Sequence, residues 1–252
     1  MLYAMAATTL AGLSTGLGGL LGVLRRPGRR GMAFSLGFGA GVMITVSLAD
    51  MLPEAMERYR AAFSPAGAAG AAASLAALGM AAALLLGRLV PEPRLFAGRG
   101  EEARVLHSAL VTALALVAHN LPEGVLTLFS GLEDPALGLR LAVAVALHNL
   151  PEGLAVALPV YYATRSRAKG AAAALISGLA EPAGALAAFA LLGGRLTAGL
   201  VTGLVALVSG VMCWVSVAEL LPTGFSLGRR GDTAAGFGAG LLAMTLGIGL
   251  LS

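Results

Sequence analysis

Formal charges cut this chain into long apolar stretches. Residues 1–24, 61–87 and 233–252 contain none, and five other stretches contain one acid each: Asp50 in 31–53, Glu123 in 105–132, Glu152 in 141–164, Glu181 in 170–194 and Glu219 in 196–228. All eight reach the ~20 residues that a helix needs to cross the hydrocarbon of a bilayer. Lipid offers no partner to free backbone groups, so such stretches must be helical. The pattern predicts helices over about 3–24, 31–53, 66–89, 104–130, 137–161, 170–192, 196–221 and 232–251. The expected fold is an all-α polytopic membrane protein, one transmembrane domain over 1–252, set in the lipid bilayer. The first stretch has no basic residue ahead of its apolar run, so it reads as a retained helix and not a cleaved leader.

Composition agrees. The chain is 58% hydrophobic and 12% charged, with a mean hydropathy of +0.86; a soluble domain carries roughly 25% charged residues. Lys and Arg are unevenly divided between alternate connections. One set holds Arg25, Arg26, Arg29, Arg30, Arg88, Arg94, Arg99, Arg104, Arg165, Arg167, Lys169, Arg229 and Arg230, and the other Arg58, Arg60, Arg140 and Arg195, a split of 13 against 4. Basic loops stay in the cytoplasm, which puts both termini outside a multi-pass protein of the cytoplasmic (inner) membrane. The net charge of +4 follows from this bias and calls for no nucleic-acid partner. Cys213 is the only cysteine, which excludes an intrachain disulfide and a multi-cysteine zinc site. The longest polar connection, about 91–104 with Pro91, Pro93, Gly98 and Gly100, reads as a mobile cytoplasmic loop; those near 54–66, 131–137 and 193–196 are short.

Two repeats stand out. GVMITVSLADMLP at 41–53 and GVMCWVSVAELLP at 210–222 share Gly-Val-Met, Val-Ser, an Ala followed by an acid, and Leu-Pro. They fall on the second and seventh helices, which cross the membrane in opposite directions. Inverted repeats of this kind mark many secondary transporters, with the site near the midplane between them. Gly12/Gly16, Gly37/Gly41 and Gly236/Gly240 have the GxxxG spacing that lets helices approach closely in lipid.

The second repeat is the hexapeptide HNLPEG, at His119–Gly124 and His148–Gly153. Residues four apart share a helix face, so His119 and Glu123 converge, as do His148 and Glu152, flanked by Asn120 and Asn149. Pro122 and Pro151 leave the carbonyls of Ala118 and Leu147 without their helical N–H partners, and Gly124 and Gly153 remove bulk beside the acids. Glu181, next to Pro182, adds a third carboxylate at membrane depth. Three glutamates held there without a Lys or Arg cannot all stay ionised unaided. A divalent cation supplies the missing charge, and imidazole with carboxylate and amide oxygens suits zinc, iron or manganese. Asp50 and Glu219, repeat-equivalent acids near opposite mouths, are candidate waystations. Met43 is a candidate soft ligand, and His107 reads as interfacial.

These residues resemble the ZIP (ZRT/IRT-like) family of divalent-metal transporters, in its bacterial branch. The resemblance rests on the doubled HNLPEG and on Gly178-Leu179-Ala180-Glu181-Pro182, and the eight-helix layout extends it over essentially the whole chain. It implies a 3+2+3 arrangement of helices with inverted outer triplets, metal carried by the fourth and fifth helices, uptake into the cytoplasm, and often a homodimer. It implies one metal site from His119, Glu123, His148 and Glu152 with Met43 nearby. A neighbouring site would use Asn120, Asn149, Glu152 and Glu181, and Glu219 would lie on the inner exit. Two departures matter. Residues 89–104 lack the histidines that many relatives carry in this loop, and Asn149 stands where some relatives have an acid, which weakens the second site.

The expectation is a transporter without resident cofactor, whose substrate is zinc, with iron, manganese, cobalt and cadmium as further candidates. It would work by alternating access. An intramembrane metallohydrolase is disfavoured because HExxH is absent and the order is His-x-x-x-Glu. A passive channel or a metal sensor would show non-saturating flux, or binding without flux.

Overall fold

The computed structural model describes residues 1–25, 27–90, 100–192 and 197–251. Among these every regular element is helical. Eight helices are long and apolar enough to cross a membrane: α1 (Leu2–Leu24), α2 (Arg29–Tyr59), α3 (Pro65–Leu89), α4 (Glu101–Glu133), α5 (Pro135–Thr164), α6 (Arg167–Leu191), α7 (Gly199–Leu227) and α8 (Arg230–Leu250). Arg26, Arg94, Arg99, Arg195, the 193–196 connection and most of the expected 91–104 loop lie outside the described residues; from Glu101 that stretch is already helix.

From the sequence, the second helix should end at 53 and the seventh at 221, each beside a proline. Both run on, to Tyr59 and Leu227. Each helix widens into a π turn ahead of its proline, Ser47–Met51 before Pro53 and Val215–Leu220 before Pro222. The N–H of Leu52 reaches Ser47 O, and that of Leu221 reaches Ser216 O. Proline has no N–H to give, and the extra residue in the turn shifts the ladder so that the helix continues past it. The serines bond alike, Ser47 Oγ to Met43 O and Ser216 Oγ to Met212 O, both at 2.8 Å. The two related stretches therefore fold the same way, with Asp50 and Glu219 on their π turns. In α6 the α-helix is interrupted at Leu179, where Pro182 withholds the N–H that Gly178 O would accept.

α1 packs on α5 and α6, and α4 on α5 and α6; α8 packs on α2, and α3 on α7. The expected glycine contacts appear between α2 and α8: a Cβ on Gly41 would stand 2.3 Å from Phe237 O, and one on Gly240 would stand 2.2 Å from Phe38 O. α3 and α8 are the least covered, with 17% and 22% of their apolar windows buried against 67% in α2.

One end of the bundle holds a cavity of about 300 Å³. Its lining combines the later halves of α2, α4 and α8 (Asp50, Thr127, Met244) with the earlier halves of α5 and α7 (Arg140, Val205). Hence α2, α4 and α8 run toward this end while α5 and α7 run away from it, and α2 is antiparallel to α7. The opposite end is tied by polar contacts. Arg29 pairs with Glu101 at 2.8 Å and donates from Nε to Leu227 O at 2.9 Å, while Tyr162 Oη donates to Glu101 Oε1 at 2.6 Å. Arg165 pairs with Glu102 at 3.0 Å. These contacts join the starts of α2 and α4 to the ends of α5 and α7. Exposed pairs of this kind contribute about 0–1 kcal/mol each.

Candidate metal centre

α4 and α5 stay helical through Pro122 and Pro151. All six polar residues of the two hexapeptides are buried: His119, Asn120, Glu123, His148, Asn149 and Glu152. Because the helices are antiparallel, the histidine of each copy lies level with the glutamate of the other. On the cavity side, His148 Nε2 lies 2.6 Å from Glu123 Oε1. One turn deeper, His119 Nε2 lies 3.4 Å from Glu152 Oε1 and also 3.4 Å from Glu123 Oε2. One ligand atom each from His119, His148 and Glu152 falls within 4.8 Å of the others. Atoms sharing a zinc ion at bonds of ~2.0–2.2 Å stand about 3–4 Å apart. The His119 contacts already have that spacing, whereas His148 and Glu123 are directly bonded to each other and must part to share an ion.

The motif glycines earn their place by close approach. A Cβ on Gly124 would lie 2.0 Å from Glu181 O of α6, and one on Gly153 would lie 1.9 Å from Thr15 O of α1. Each copy thus brings the backbone of a different neighbour beside its acid. From these neighbours come the partners of the amides. Asn120 Nδ2 donates to Ser177 O at 2.9 Å. Asn149 Nδ2 donates to Ala11 O at 3.0 Å and to Glu181 Oε1 at 2.5 Å. Glu181, on α6, is completely buried and stands within electrostatic reach of Glu123 and Glu152.

The other buried polar atoms are left over. His119 Nδ1 and Nε2, Asn120 Oδ1, Glu123 Oε2, Asn149 Oδ1, both oxygens of Glu152 and Glu181 Oε2 have no hydrogen-bond partner. A buried polar atom left so costs about 1–3 kcal/mol. Both asparagine Nδ2 groups donate to protein oxygens, while carboxylate and carbonyl acceptors, and whichever His119 ring nitrogen accepts, stay unsatisfied. A cation with a preference for nitrogen and oxygen is the species that such a set accommodates.

The other expected residues are placed differently. Met43 is fully buried in the principal core, one turn before Ser47. Asp50 lines the cavity. Glu219 does not; it is half-buried near Ser108 and Gly87. His107 Nε2 lies 3.0 Å from Val90 O. The sequence reading missed Arg140, which it counts as a loop charge although it lines the cavity with Glu54. Its spacing was the available signal: Arg140, Ala144 and His148 follow at intervals of four, one face of a helix. The carbonyls of Ala11 and Ser177, which hold the two amides, left no mark in the sequence.

The chain is similar to known proteins. A family model described as ZIP zinc transporter matches residues 97–252, a range that holds both hexapeptides and Glu181. The chain is 40% identical over 259 residues to the zinc transporter ZupT of Corynebacterium efficiens, covering 98% of this chain and 97% of that protein. It is 41% identical to ZupT of Corynebacterium glutamicum, covering 98% of each. With ZupT of Stenotrophomonas maltophilia the identity is 38%, covering 96% of this chain and 94% of that one. With paired His/Glu hexapeptides buried between two of its membrane helices and likeness of this extent, the chain belongs to the ZIP zinc transporter family.

Proposed function

We propose that this protein carries divalent transition metal, zinc foremost, across the cytoplasmic membrane into the cell by alternating access. The observation that carries the reading is the set of buried imidazole, carboxylate and amide acceptors without partners between α4, α5 and α6. Members of the family are transporters and not enzymes, so the metal is cargo.

A hydrated ion enters the cavity past Asp50 and meets the Glu123–His148 pair. Binding replaces their mutual hydrogen bond with bonds to metal, and the protons that the ligands carried leave. His119 and Glu152 complete the site, with Met43 as a further ligand. Asn120, Asn149, Glu152 and Glu181 form an adjoining, weaker station, because Asn149 brings no charge. Release needs the opposite end to open past Glu219, which means parting Arg29 and Tyr162 from Glu101. Binding must stay moderate, since an ion held very tightly does not leave. The antiparallel α2 and α7, with matching π turns, support inverted outer triplets in a 3+2+3 order. The basic connections put both termini outside, and the poorly covered α3 and α8 offer faces to lipid or to a second copy in a homodimer.

Uptake of zinc into proteoliposomes, with competing divalent ions and internal pH recorded, tests this. Saturable uptake is expected, abolished by Glu152→Ala in protein that still inserts. Normal uptake by that variant would refute the scheme. Linear, non-saturating flux would point to a channel instead.

A further inference from the structure

A pathway for cations is ordinarily lined by acids, yet the cavity above the candidate site contains a base. Its charged lining is Asp50, Glu54, Glu123 and Arg140. Glu54 is already engaged by Arg58, whose Nη2 lies 2.6 Å away. Arg140 is exposed and forms no ion pair among the described residues. It lies on the face of α5 that carries His148, eight residues or about 12 Å of helix axis nearer the mouth. A guanidinium never gives up its charge, and a cleft with low-dielectric walls focuses its field.

The effect on cations depends on what else holds them. Calcium and magnesium are drawn to carboxylates by charge and oxygen contacts alone. Zinc and its neighbours gain in addition from imidazole, which is met only at His148 and His119. With Glu54 held by Arg58, an unopposed Asp50 at the mouth and Glu123 below it would gather every divalent ion, the abundant hard ones most. We propose that Arg140 is a specificity-determining residue: it offsets the acids of the cavity, so that hard divalent cations do not accumulate there and selection falls to the imidazoles below. The offset also weakens capture of zinc, so it trades apparent affinity for discrimination. This inference rests on the uptake reading above.

Zinc uptake by proteoliposomes containing the wild type, Arg140→Gln, Arg140→Lys and Arg60→Gln tests it, at low and high ionic strength and with calcium or magnesium as competitor. Arg140→Gln should lower the zinc KM on the order of three- to tenfold, as removal of a repulsive charge from a focusing cleft does. Inhibition by calcium and magnesium should strengthen by at least as much, and both effects should fade as salt is added. Arg140→Lys keeps the charge and should match the wild type. Arg60, paired with Glu57 at the same end but outside the cavity lining, controls for surface charge and should change nothing. Unaltered KM and competition in Arg140→Gln, an equal change in Arg140→Lys, or effects indifferent to salt would overturn the inference while leaving the uptake reading intact. A wild type that takes up no zinc would overturn both.

Discussion

The two hexapeptides are identical in sequence and unlike in situation. In the first copy the glutamate faces the cavity and the histidine is deep: Glu123 lines the cavity, whereas His119 is 1% exposed and neither of its ring nitrogens has a hydrogen-bond partner. In the second copy the order is reversed: His148 lines the cavity, and Glu152 is 0% exposed with both oxygens unpartnered. A motif repeated on antiparallel helices therefore makes two mixed layers, not two separate sites. The cavity-side layer is Glu123 with His148, and the buried layer is His119 with Glu152. Each layer holds one imidazole and one carboxylate, one contributed by each copy.

If the layers differ in this way, substitutions should sort by depth and not by copy. The largest loss belongs to the buried layer. Glu152→Gln keeps the shape and removes the charge, and saturable zinc uptake should vanish while the protein still reaches the membrane. In the cavity-side layer, His148→Ala and Glu123→Gln should each weaken zinc binding by at least the order of 10- to 100-fold that loss of a group merely supporting a metal ligand costs, while leaving measurable uptake. Titration of purified protein with zinc, read alongside uptake, measures both. A loss for His119→Ala that matches Glu123→Gln, with His148→Ala matching Glu152→Gln, would mean that copies, and not layers, are the functional units.

The division into spans was plain from the sequence because hydrocarbon excludes charge, so each crossing is written as a run without Lys or Arg. His119 and Glu123 were placed together by helical spacing, and they are 3.4 Å apart. The pairing across copies was not legible, since it depends on how α4 and α5 align, a tertiary fact. Continuation past Pro53 and Pro222 was hidden for a related reason: a π turn is set by the ladder register, and a proline in sequence reads as a stop. Arg140 was hidden by its formal charge, which marks a helix end in composition but here lies on the face shared with His148.

The second difference between the copies is sharper at the asparagines, and a charge placed there tests the adjoining station. Asn149→Asp introduces a carboxylate beside Glu181 and Glu152. With metal present it should raise the number of ions retained by purified protein and slow turnover several-fold, because an ion bound by more charge leaves less readily. Unchanged metal content would remove Asn149 from the set of ligands.

The smallest expected effect separates the copies without reference to metal. Asn149 donates to two helices, to the Ala11 carbonyl of α1 and to the Glu181 carboxyl of α6, whereas Asn120 donates to the Ser177 carbonyl of α6 alone. A neutral hydrogen bond contributes about 0.5–1.5 kcal/mol and one to a charged group about 1.5–3 kcal/mol. Asn149→Ala forfeits one of each kind when Glu181 is ionised, and leaves a buried carboxyl without its donor. Asn120→Ala forfeits one neutral bond. Thermal unfolding in detergent without metal should therefore show the larger drop for Asn149→Ala, by roughly 1–3 kcal/mol. Equal drops would mean that the bond from Asn149 to Glu181 contributes nothing, so that the only difference left between the copies would be their distance from the cavity.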